Sequence, residues 1–245
     1  MKEKIIKFIR SKVKGAKVKG VVIGLSGGLD STTTLFLCAQ ALGKNKVLGI
    51  MMPSGTNRRE DTNDAIQVCK KLGVKYEVIE IDPIVKSFDK ILDLNDRLVK
   101  GNLMARTRMC ILYYFANKDN LLVVGTGNKS EYLQGYFTLH GDIACDLLPI
   151  GNLYKTEVKK LAKQIGVPEK IIRKTPSAGL WPGQSDEEEL GITYQELDEV
   201  LPLLERKVSV EKVHQKTKIS LDKIKKVKER VVETEFKRRP VDRPS

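Results

Sequence analysis

Short apolar runs alternate with amphipathic segments along the first half of the chain. The apolar runs are rich in β-branched residues and predict four strands, 18–25, 47–52, 76–81 and 121–124. The segments between them have helical spacing or composition and predict helices at 31–42, at 61–72, after Pro83 and at 103–117. Strands that alternate with helices at this spacing form parallel sheets that are covered on both faces. The pattern therefore predicts an α/β protein with a doubly wound, mostly parallel sheet.

Helices are also predicted at both ends of the chain. Residues 1–17 form an amphipathic helix, because Ile5, Ile9 and Val13 recur at helical spacing among lysines. After Pro149 the apolar spacing predicts helices at 154–165, 168–172, 194–204 and 221–232. We expect residues 1–245 to form a single domain, with the N-terminal helix 1–17 and the C-terminal helices of 193–235 packed on it.

A long irregular segment interrupts the second half of the chain. It begins at Pro176, contains the only tryptophan, Trp181, and runs through Gly183 into the acidic residues 185–189. A loop of this length in a compact domain is usually a lid or a disordered stretch. Because it carries the only tryptophan, we predict a lid over residues 177–190.

Basic residues are concentrated at the two ends of the chain, which has a formal net charge of +13. Residues 1–20 hold eight Lys/Arg against one Glu, and residues 206–245 hold fourteen against six Asp/Glu. Such ends are typical of nucleic-acid surfaces, but they also fit solvated helix faces, and aromatic residues for base stacking are scarce in both. Residues 209–232 fit a DNA-reading helix pair or, more commonly, two helices packed on the domain. We expect nucleic acid not to be the partner.

Composition narrows the class of protein. The hydrophobic content of 41% is that of a globular chain, and no apolar run approaches the roughly 18 residues that span a bilayer. The N-terminus is Lys-rich and lacks an apolar signal core. Four cysteines without a CxxC pair, together with two histidines, make a disulfide framework or a zinc site improbable. We expect a soluble, cytoplasmic protein that does not bind membranes.

The strongest local signal lies between the first strand and the first helix and reads Gly24-Leu25-Ser26-Gly27-Gly28-Leu29-Asp30-Ser31. Adjacent glycines let backbone N–H groups converge, and the helix N-terminus adds its positive dipole end, so the segment is suited to phosphates. It is not a Walker loop, since no lysine follows the glycines. Asp30 repels phosphates unless a cation such as Mg²⁺ lies between them. A Gly-rich turn in which Asp30 caps the helix explains the same residues equally well.

The segment Ser26-Gly27-Gly28-Leu29-Asp30-Ser31 resembles the SGGxDS loop of the N-type ATP pyrophosphatases. These enzymes cleave ATP between the α and β phosphates and adenylate an acceptor. The loop alone does not choose among synthetases for NAD, GMP and asparagine and the tRNA-modifying members. Further segments resemble ammonia-dependent NAD synthetases of the archaeal type, and they follow in order along the chain: 106–109, 125–131, 135–138, 146–149, 154–158, 176–181 and 185–192.

The resemblance implies a Rossmann-like fold of the adenine nucleotide alpha hydrolase type. It also implies a ligase that amidates deamido-NAD to NAD with ATP and ammonia and releases AMP and pyrophosphate. No covalent nucleophile is expected, since the chain has no plausible Ser-His or Cys-His arrangement. The resemblance further implies a homodimer, and ammonia that is free or supplied by a separate protein.

The resemblance assigns residues to three groups. ATP is bound by residues 24–31 together with Thr126, Lys155 and Ser177. Mg²⁺ is held by Asp30 and Glu131. Deamido-NAD is contacted by Arg106, Leu139, Asp146, Phe236 and Lys237. Because residues i and i+2 of a helix point about 200° apart, only one of Arg106 and Arg108 reaches the ligand. We assign Arg106 to the acceptor and expect Arg108 to brace the fold or lie at a subunit contact.

Two positions depart from the family pattern. Leu139 replaces a lysine that contacts the acceptor, and Phe236-Lys237 replaces a His-Lys pair. His140, next to Leu139, is a candidate for a partial replacement of the lost cation. The departures keep two alternatives open. One is an ATP pyrophosphatase with another acceptor, including a tRNA-modifying enzyme, although no convincing cysteine pair of the thiolating kind is present. The other is a nucleotide-binding relative without catalysis.

Overall fold

A parallel sheet of four strands runs through the structure, a computed structural model that describes residues 1–181 and 183–240. Its spatial order is β3-β2-β1-β4, and every neighbouring pair is parallel. The strands are β1 Gly20–Gly24, β2 Val47–Met51, β3 Lys75–Val78 and β4 Leu121–Val124. The parallel α/β sheet predicted from the sequence is confirmed.

Helices occupy most of the remaining described chain. Before β4 they are α1 Lys2–Ala16, α2 Leu29–Leu42, α3 Arg59–Leu72, α4 Asp82–Asp89 and α5 Arg97–Asp119. After β4 they are α6 Lys129–Gln134, α7 Lys155–Ile165, α8 Glu169–Ile172, α9 Asp186–Leu190, α10 Tyr194–Glu205, α11 Val210–Thr217 and α12 Leu221–Glu233. Short 3₁₀ turns lie at Lys44–Lys46 and Glu235–Arg238.

The central strand β1 is buried on both faces of the sheet. Successive strand side chains point to opposite faces, so Val21 and Ile23 enter one core and Val22 enters the other. The first core is completed by α1, α2, α3 and α7, and the second by α4 and α5. Because both faces are covered, these strands are continuous apolar runs rather than alternating ones.

The connections reverse between β1 and β4. The chain passes from β1 through β2 to β3 on one side of β1, whereas β4 pairs with its other side, with Ile23 opposite Val124. In open parallel sheets, ligands bind beyond the carboxyl ends of strands at such a reversal. The residues that follow Gly24 and Val124 therefore face one crevice.

The C-terminal helices form a third apolar cluster. Leu197 of α10, Val213 of α11 and Ile224 of α12 are fully buried in it, and Leu133 of α6 packs against it. The two helices within residues 209–232 thus use their apolar faces to pack on α10. No helix in the described part of the chain is long and apolar enough to cross a membrane.

Several boundaries differ from the sequence prediction. Strand β3 ends at Val78 instead of residue 81, and α4 begins at Asp82. Helix α5 starts at Arg97 rather than 103, because Asp96 caps it by accepting from the backbone N–H groups of Leu98 and Val99. The acidic end of the predicted lid is helical and forms α9.

Candidate functional site

A glycine loop, residues 24–28, joins β1 to α2 at the crevice. Gly27 has φ +76°, and a Cβ built on it would lie 2.0 Å from the carbonyl oxygen of Asp61, so a glycine is required there. Ser26 Oγ accepts from the Gly28 backbone N–H at 3.3 Å and lies 3.1 Å from Ser31 Oγ. Helix α2 begins at the next residue. The loop and the N-terminus of α2 are of the kind that binds anions, and we refer to them as the cradle.

Three charged side chains meet beside this loop. Lys155, which is only 7% exposed, directs its Nζ to Asp30 Oδ2 at 2.5 Å and to Glu131 Oε1 at 3.1 Å. The residues come from the first turns of α2, α6 and α7. The structure thus brings together the two carboxylates that the sequence assigned to a metal and the lysine that it assigned to ATP.

The lysine and the glutamate are held by the starts of their helices. Asn128 caps α6, and its backbone N–H donates to Glu131 Oε2 at 3.1 Å in a capping box. The amide of Asn128 also lies 3.5 Å from Asp30 Oδ1. At the start of α7 the backbone N–H of Lys155 donates to Ser130 Oγ, which in turn donates to Asp198. Glu131 therefore presents its other oxygen, Oε1, to Lys155.

Negative charge exceeds positive charge in this cluster. Burial raises the pKa of the Glu131 carboxyl to about 7, with Asp30 and Asp186 adding to the rise and Lys155 opposing it. Although burial favours a neutral amine, Asp30 and Glu131 raise the pKa of Lys155 above its ordinary value. The carboxyl of Asp186, 3% exposed, accepts hydrogen bonds from Tyr194 and Tyr136. Three carboxyl groups thus face one ammonium.

This donor set fits a magnesium ion. Mg²⁺ prefers oxygen ligands and usually takes one or two carboxylates, with phosphates and water in the other positions. Asp30 and Glu131 already share a cation, since both contact the Lys155 ammonium. Within residues 1–181 and 183–240, no group of three or more His, Cys, Asp or Glu side chains is placed to hold a metal alone. A metal at Asp30 and Glu131 would take its remaining ligands from phosphate oxygens or water.

Thr126 and Ser177 lie in two different connections of the chain. Thr126 is half-buried in the loop between β4 and α6, two residues before Asn128. Ser177 is exposed in the connection between α8 and α9, where its Oγ accepts from the Gly179 backbone N–H at 3.1 Å. Three residues earlier, Lys174 Nζ donates to the Gly27 carbonyl at 3.0 Å. This places the start of the Ser177 segment against the glycine loop.

The middle of the predicted lid is attached to the body of the protein. The Asn57 amide donates to the Gly179 carbonyl at 2.9 Å, and the Arg97 guanidinium lies 5.1 Å from the centre of the Trp181 ring. Leu180 packs so close to Gly101 that a Cβ there would lie 3.1 Å from it. In the structure this segment therefore packs against the start of α5.

The predicted acceptor residues lie partly together. Arg106 donates through Nε and Nη2 to the Leu139 carbonyl at 3.3 and 3.2 Å. Lys237 donates to the carbonyls of Gly135 and Phe137, on the same loop as Leu139, at 2.6 Å each. Phe236 is 63% exposed and is accessible to a ligand.

Both carboxylate oxygens of Asp146 accept hydrogen bonds from other parts of the fold. Its Oδ2 accepts from the Val123 backbone N–H at 2.7 Å, and its Oδ1 accepts from Tyr113 at 3.0 Å. Tyr113 follows Arg106 by two turns of α5. The structure thus ties this carboxylate to β4 and α5, and the acceptor role stays a prediction.

Arg106 and Arg108 of α5 point in different directions, as the helical spacing predicts. Arg106 is exposed, whereas Arg108 turns inward and donates to the Met52 carbonyl at 3.0 Å and to Asn57 Oδ1 at 3.1 Å. Burial lowers the pKa of Arg108 to about 10, against the effect of Asp82. Arg108 therefore braces the connection between β2 and α3, and through Asn57 it supports the docked segment.

Sequence reasoning missed Asn128, Lys174, Asp186 and Tyr194. Asn128 had a local signal, because Asn followed three positions later by Glu is a capping-box pattern. Tyr194 had none: its OH donates to Glu131, 63 positions earlier, at 3.4 Å, and its ring lies 4.8 Å from Lys155 Nζ. Contacts of this kind depend on how α10 packs against α6 and α7.

Comparison with known proteins gives concordant results. The family model described as NAD synthase matches residues 1–241. The NH(3)-dependent NAD(+) synthetase of Methanocaldococcus jannaschii is 54% identical over 96% of this chain and 92% of its own length. The enzyme of the same name from Thermococcus sibiricus is 50% identical, over 96% of this chain and 93% of its own length.

Solved structures agree over the whole length. An NH3-dependent NAD synthetase from Campylobacter jejuni, in complex with nitrate, is 34% identical with a TM-score of 0.84, over 100% of this chain and 97% of that one. An NMN synthetase from Francisella tularensis is 33% identical with a TM-score of 0.88, over 99% of this chain and 96% of that one. The fold and the matched length agree with these proteins, and the chain belongs to the NAD synthase family.

Proposed function

We propose that this chain is a ligase that converts deamido-NAD to NAD with ATP and ammonia, releasing AMP and pyrophosphate. The observation that carries the proposal is the Asp30–Lys155–Glu131 cluster beside the glycine loop, in a chain that matches the NAD synthase family over residues 1–241. The cluster and the loop offer an ammonium, two carboxylates and converging N–H groups, which are suited to a nucleoside triphosphate.

The reaction needs no nucleophile from the protein. An oxygen of the nicotinate carboxylate attacks the α-phosphorus of ATP, the bond to the bridging oxygen breaks, and pyrophosphate leaves. Ammonia then attacks the carbonyl carbon, AMP leaves with the electron pair of the broken C–O bond, and the nitrogen loses a proton. The chain's task is to bind both substrates in line and to stabilise charge on the departing groups.

On the ATP side, the Gly28 N–H, the N-terminus of α2 and the Lys155 ammonium face the phosphates. Thr126 and Ser177 contribute hydroxyl groups from two neighbouring connections. Asp30 and Glu131 would hold a magnesium ion, which would neutralise charge on the departing pyrophosphate.

On the acceptor side, we assign Arg106, Leu139, Asp146, Phe236 and Lys237 to deamido-NAD. Arg106 is exposed and fixes the Leu139 carbonyl, so it lines the face that this loop presents. Lys237 uses two of its three N–H donors on Gly135 and Phe137, which leaves one for a ligand.

The test is a reconstitution from purified components. Protein, ATP, magnesium and ammonium are incubated with deamido-NAD, and AMP, pyrophosphate and NAD are measured. We expect the three products in equal amounts, and none of them without deamido-NAD. Formation of AMP with tRNA but not with deamido-NAD would overturn the proposal in favour of a tRNA-modifying enzyme.

A smaller acceptor is the second candidate. The structural similarity to an NMN synthetase and the leucine at position 139 favour it. The same reconstitution with nicotinate mononucleotide in place of deamido-NAD decides between them through the ratio of kcat/KM for the two acceptors. The 54% and 50% identical relatives named as NAD synthetases favour the dinucleotide.

We propose that the chain forms a homodimer through α4, α5 and the connection between them. Apolar side chains cluster there on the surface, and the most exposed are Ile91 at 81%, Leu98 at 57% and Val99 at 53%. Monomeric proteins rarely expose contiguous apolar patches of this kind. Light scattering should give twice the chain mass of 27.5 kDa, and Val99→Asp should reduce it. A monomeric parent protein would refute the assignment.

The ammonia source follows from the proposed reaction. We propose that the chain uses free ammonia or ammonia from a separate protein. Ammonium alone should then support full turnover in the reconstitution, and glutamine should support none. The cytoplasmic location stays a prediction from the sequence.

A further inference from the structure

Lys174 joins three parts of the molecule beside the glycine loop. Its Nζ donates to the Gly27 carbonyl at 3.0 Å and to Asp61 Oδ1 at 2.7 Å, and it lies 2.6 Å from Asp64 Oδ2. The side chain is only 14% exposed. Such a buried ammonium with three oxygen partners is a fixed group rather than a solvated surface lysine.

The contact with Gly27 determines the direction of a neighbouring N–H group. The carbonyl of Gly27 and the N–H of Gly28 belong to one peptide unit, and in a trans peptide they point in opposite directions. No cis peptide is present in the described residues. With its carbonyl held by Lys174, this peptide directs its N–H toward Ser26 Oγ and the inside of the loop.

Apart from the Lys174 contact, this peptide is held by a long bond of 3.3 Å from the Gly28 N–H to Ser26 Oγ. Both of its residues are glycines, and Gly27 has φ +76°, a region that glycine enters as readily as negative φ. If the peptide flipped, the Gly27 carbonyl would replace the Gly28 N–H inside the cradle. An oxygen in that position repels a phosphate, whereas an N–H attracts it.

Lys174 also connects the loop to the lid. It lies two residues after the end of α8 and three residues before Ser177, at the start of the segment that docks on α5. Asp61 and Asp64 lie on α3, so the lysine holds the glycine loop, α3 and the base of this segment together.

We propose that Lys174 is a positioning residue for ATP, which keeps the Gly27–Gly28 peptide turned with its N–H toward the phosphates. The proposal rests on the proposed function of the same site. It assigns Lys174 no contact with ATP, so its effect is transmitted through the glycine loop.

Lys170 provides a matched control. It contacts the same acidic pair through Asp64 at 3.0 Å, but its side chain is 67% exposed. Lys170→Met removes one positive charge from the same cluster and leaves the Gly27 carbonyl with its donor. Lys174→Met removes the same charge and the donor, and Lys174→Arg keeps both.

The first measurement is ATP affinity without acceptor, by calorimetry in the presence of magnesium, followed by KM for ATP and for deamido-NAD. We expect Lys174→Met to weaken ATP binding and raise KM for ATP by about ten-fold, as the loss of one charge-assisted hydrogen bond implies. The KM for deamido-NAD should change much less. Lys170→Met should match the parent protein, and Lys174→Arg should recover most of the affinity.

A double variant separates positioning from stability. Lys174→Met removes the nearer of the two cations that contact Asp64, at 2.6 Å, and leaves the exposed Lys170 at 3.0 Å, so the variant is expected to unfold at a lower temperature. Lys174→Met combined with Asp64→Asn removes this less compensated charge while the Gly27 carbonyl still lacks its donor. We expect this double variant to regain thermal stability and to keep the defect in ATP binding.

Two results would overturn the proposal. One is recovery of ATP affinity in the double variant, because the lysine would then only neutralise the acids. The other is ATP affinity in Lys174→Met within two-fold of that in Lys170→Met. If the parent protein made no NAD, the proposed function would fail, and the ATP-binding measurements would still decide the role of Lys174.

Discussion

Lys155 Nζ and Asp30 Oδ2 lie 2.5 Å apart, although the two residues are separated by 125 positions in the chain. One residue begins α7 and the other begins α2, so the ion pair connects the two sides of the crevice at the sheet reversal. The pair is almost buried, with side-chain exposures of 8% and 17%. Removing Lys155 would leave Asp30 and Glu131 without their shared cation, and removing Asp30 would leave Lys155 with Glu131 alone, so each residue affects both the site and its stability.

Asp30→Asn should abolish most of the activity. An amide is a much weaker magnesium ligand than a carboxylate, and it leaves Lys155 with Glu131 as its main carboxylate partner. We expect kcat/KM for ATP to fall by about 100-fold or more, which is the usual effect of removing a preorganised charge from an active site. Steady-state kinetics at several magnesium concentrations measure this effect. Asp222→Asn, an exposed change on α12, is the control. Unchanged turnover and magnesium dependence would remove Asp30 from the metal site.

Gly27→Ala should damage the ATP site beyond the general effect of a side chain at positive φ. Its Cβ would lie 2.0 Å from the Asp61 carbonyl, so the glycine loop or α3 must move. Gly166→Ala is the matched control, because Gly166 has φ +85° and no atom within 4 Å of the added Cβ. The left-handed conformation alone costs about 1–2 kcal/mol of stability, so both variants should lose thermal stability.

Only Gly27→Ala should also lose ATP affinity, which calorimetry with ATP and magnesium measures. Equal ATP affinity in the two alanine variants would mean that the loop does not need its observed shape.

The resemblance assigned Asp30 and Glu131 to one metal site, and a local rule supports their meeting. Asp30 and Glu131 each follow a strand by a few residues, and the ends of neighbouring parallel strands meet at one crevice. Lys155 was assigned through resemblance, since nothing local separates it from a surface lysine. Lys174 and Tyr194 were missed because their partners lie far away in sequence, on elements whose packing no short motif encodes.

The boundary errors have the same origin. The apolar pattern predicted β3 through residue 81, but residues 79–81 connect the strand to α4, and Ile81 is fully buried just before that helix begins. The acidic stretch 185–189 looks like a solvated loop, yet Asp186 is buried by Tyr136 and Tyr194 and α9 forms around it. In both segments, tertiary contacts rather than the local sequence pattern determine the secondary structure.

Asn57→Ala should weaken the docking of the lid. Asn57 is the residue whose amide holds the Gly179 carbonyl, and Arg108 holds Asn57 in turn. A looser lid admits water to the adenylated intermediate, so AMP should form in excess of NAD in the variant. Trp181 emission should change when ATP and deamido-NAD bind to the parent protein, and the change should be smaller in Asn57→Ala.

Asn63→Ala, an exposed change on α3, is the control for this experiment. An AMP to NAD ratio of one in Asn57→Ala, together with an unaltered Trp181 response, would show that this contact does not control closure.

Leu139→Lys should improve the use of deamido-NAD. The acceptor carries a pyrophosphate and a carboxylate, and the Arg106 guanidinium holds the Leu139 backbone at the face we assign to it. An added ammonium at this position can form a charge-assisted hydrogen bond, worth about 1.5–3 kcal/mol, so KM for deamido-NAD should fall by roughly ten-fold. The KM for ATP should stay the same, because Asp30, Glu131 and Lys155 are unchanged.

His140→Lys is the control for charge alone, because it adds a lysine at the exposed next position, where φ is +58°. If both lysine variants lower KM equally, the gain is long-range attraction, which 0.5 M salt should remove by screening. If only Leu139→Lys lowers KM for deamido-NAD, and the decrease persists in 0.5 M salt, position 139 lies where a lysine can contact the acceptor directly. If neither variant changes KM and the parent protein already saturates at low micromolar deamido-NAD, Leu139 lies outside the acceptor site, and its assignment to that site is wrong.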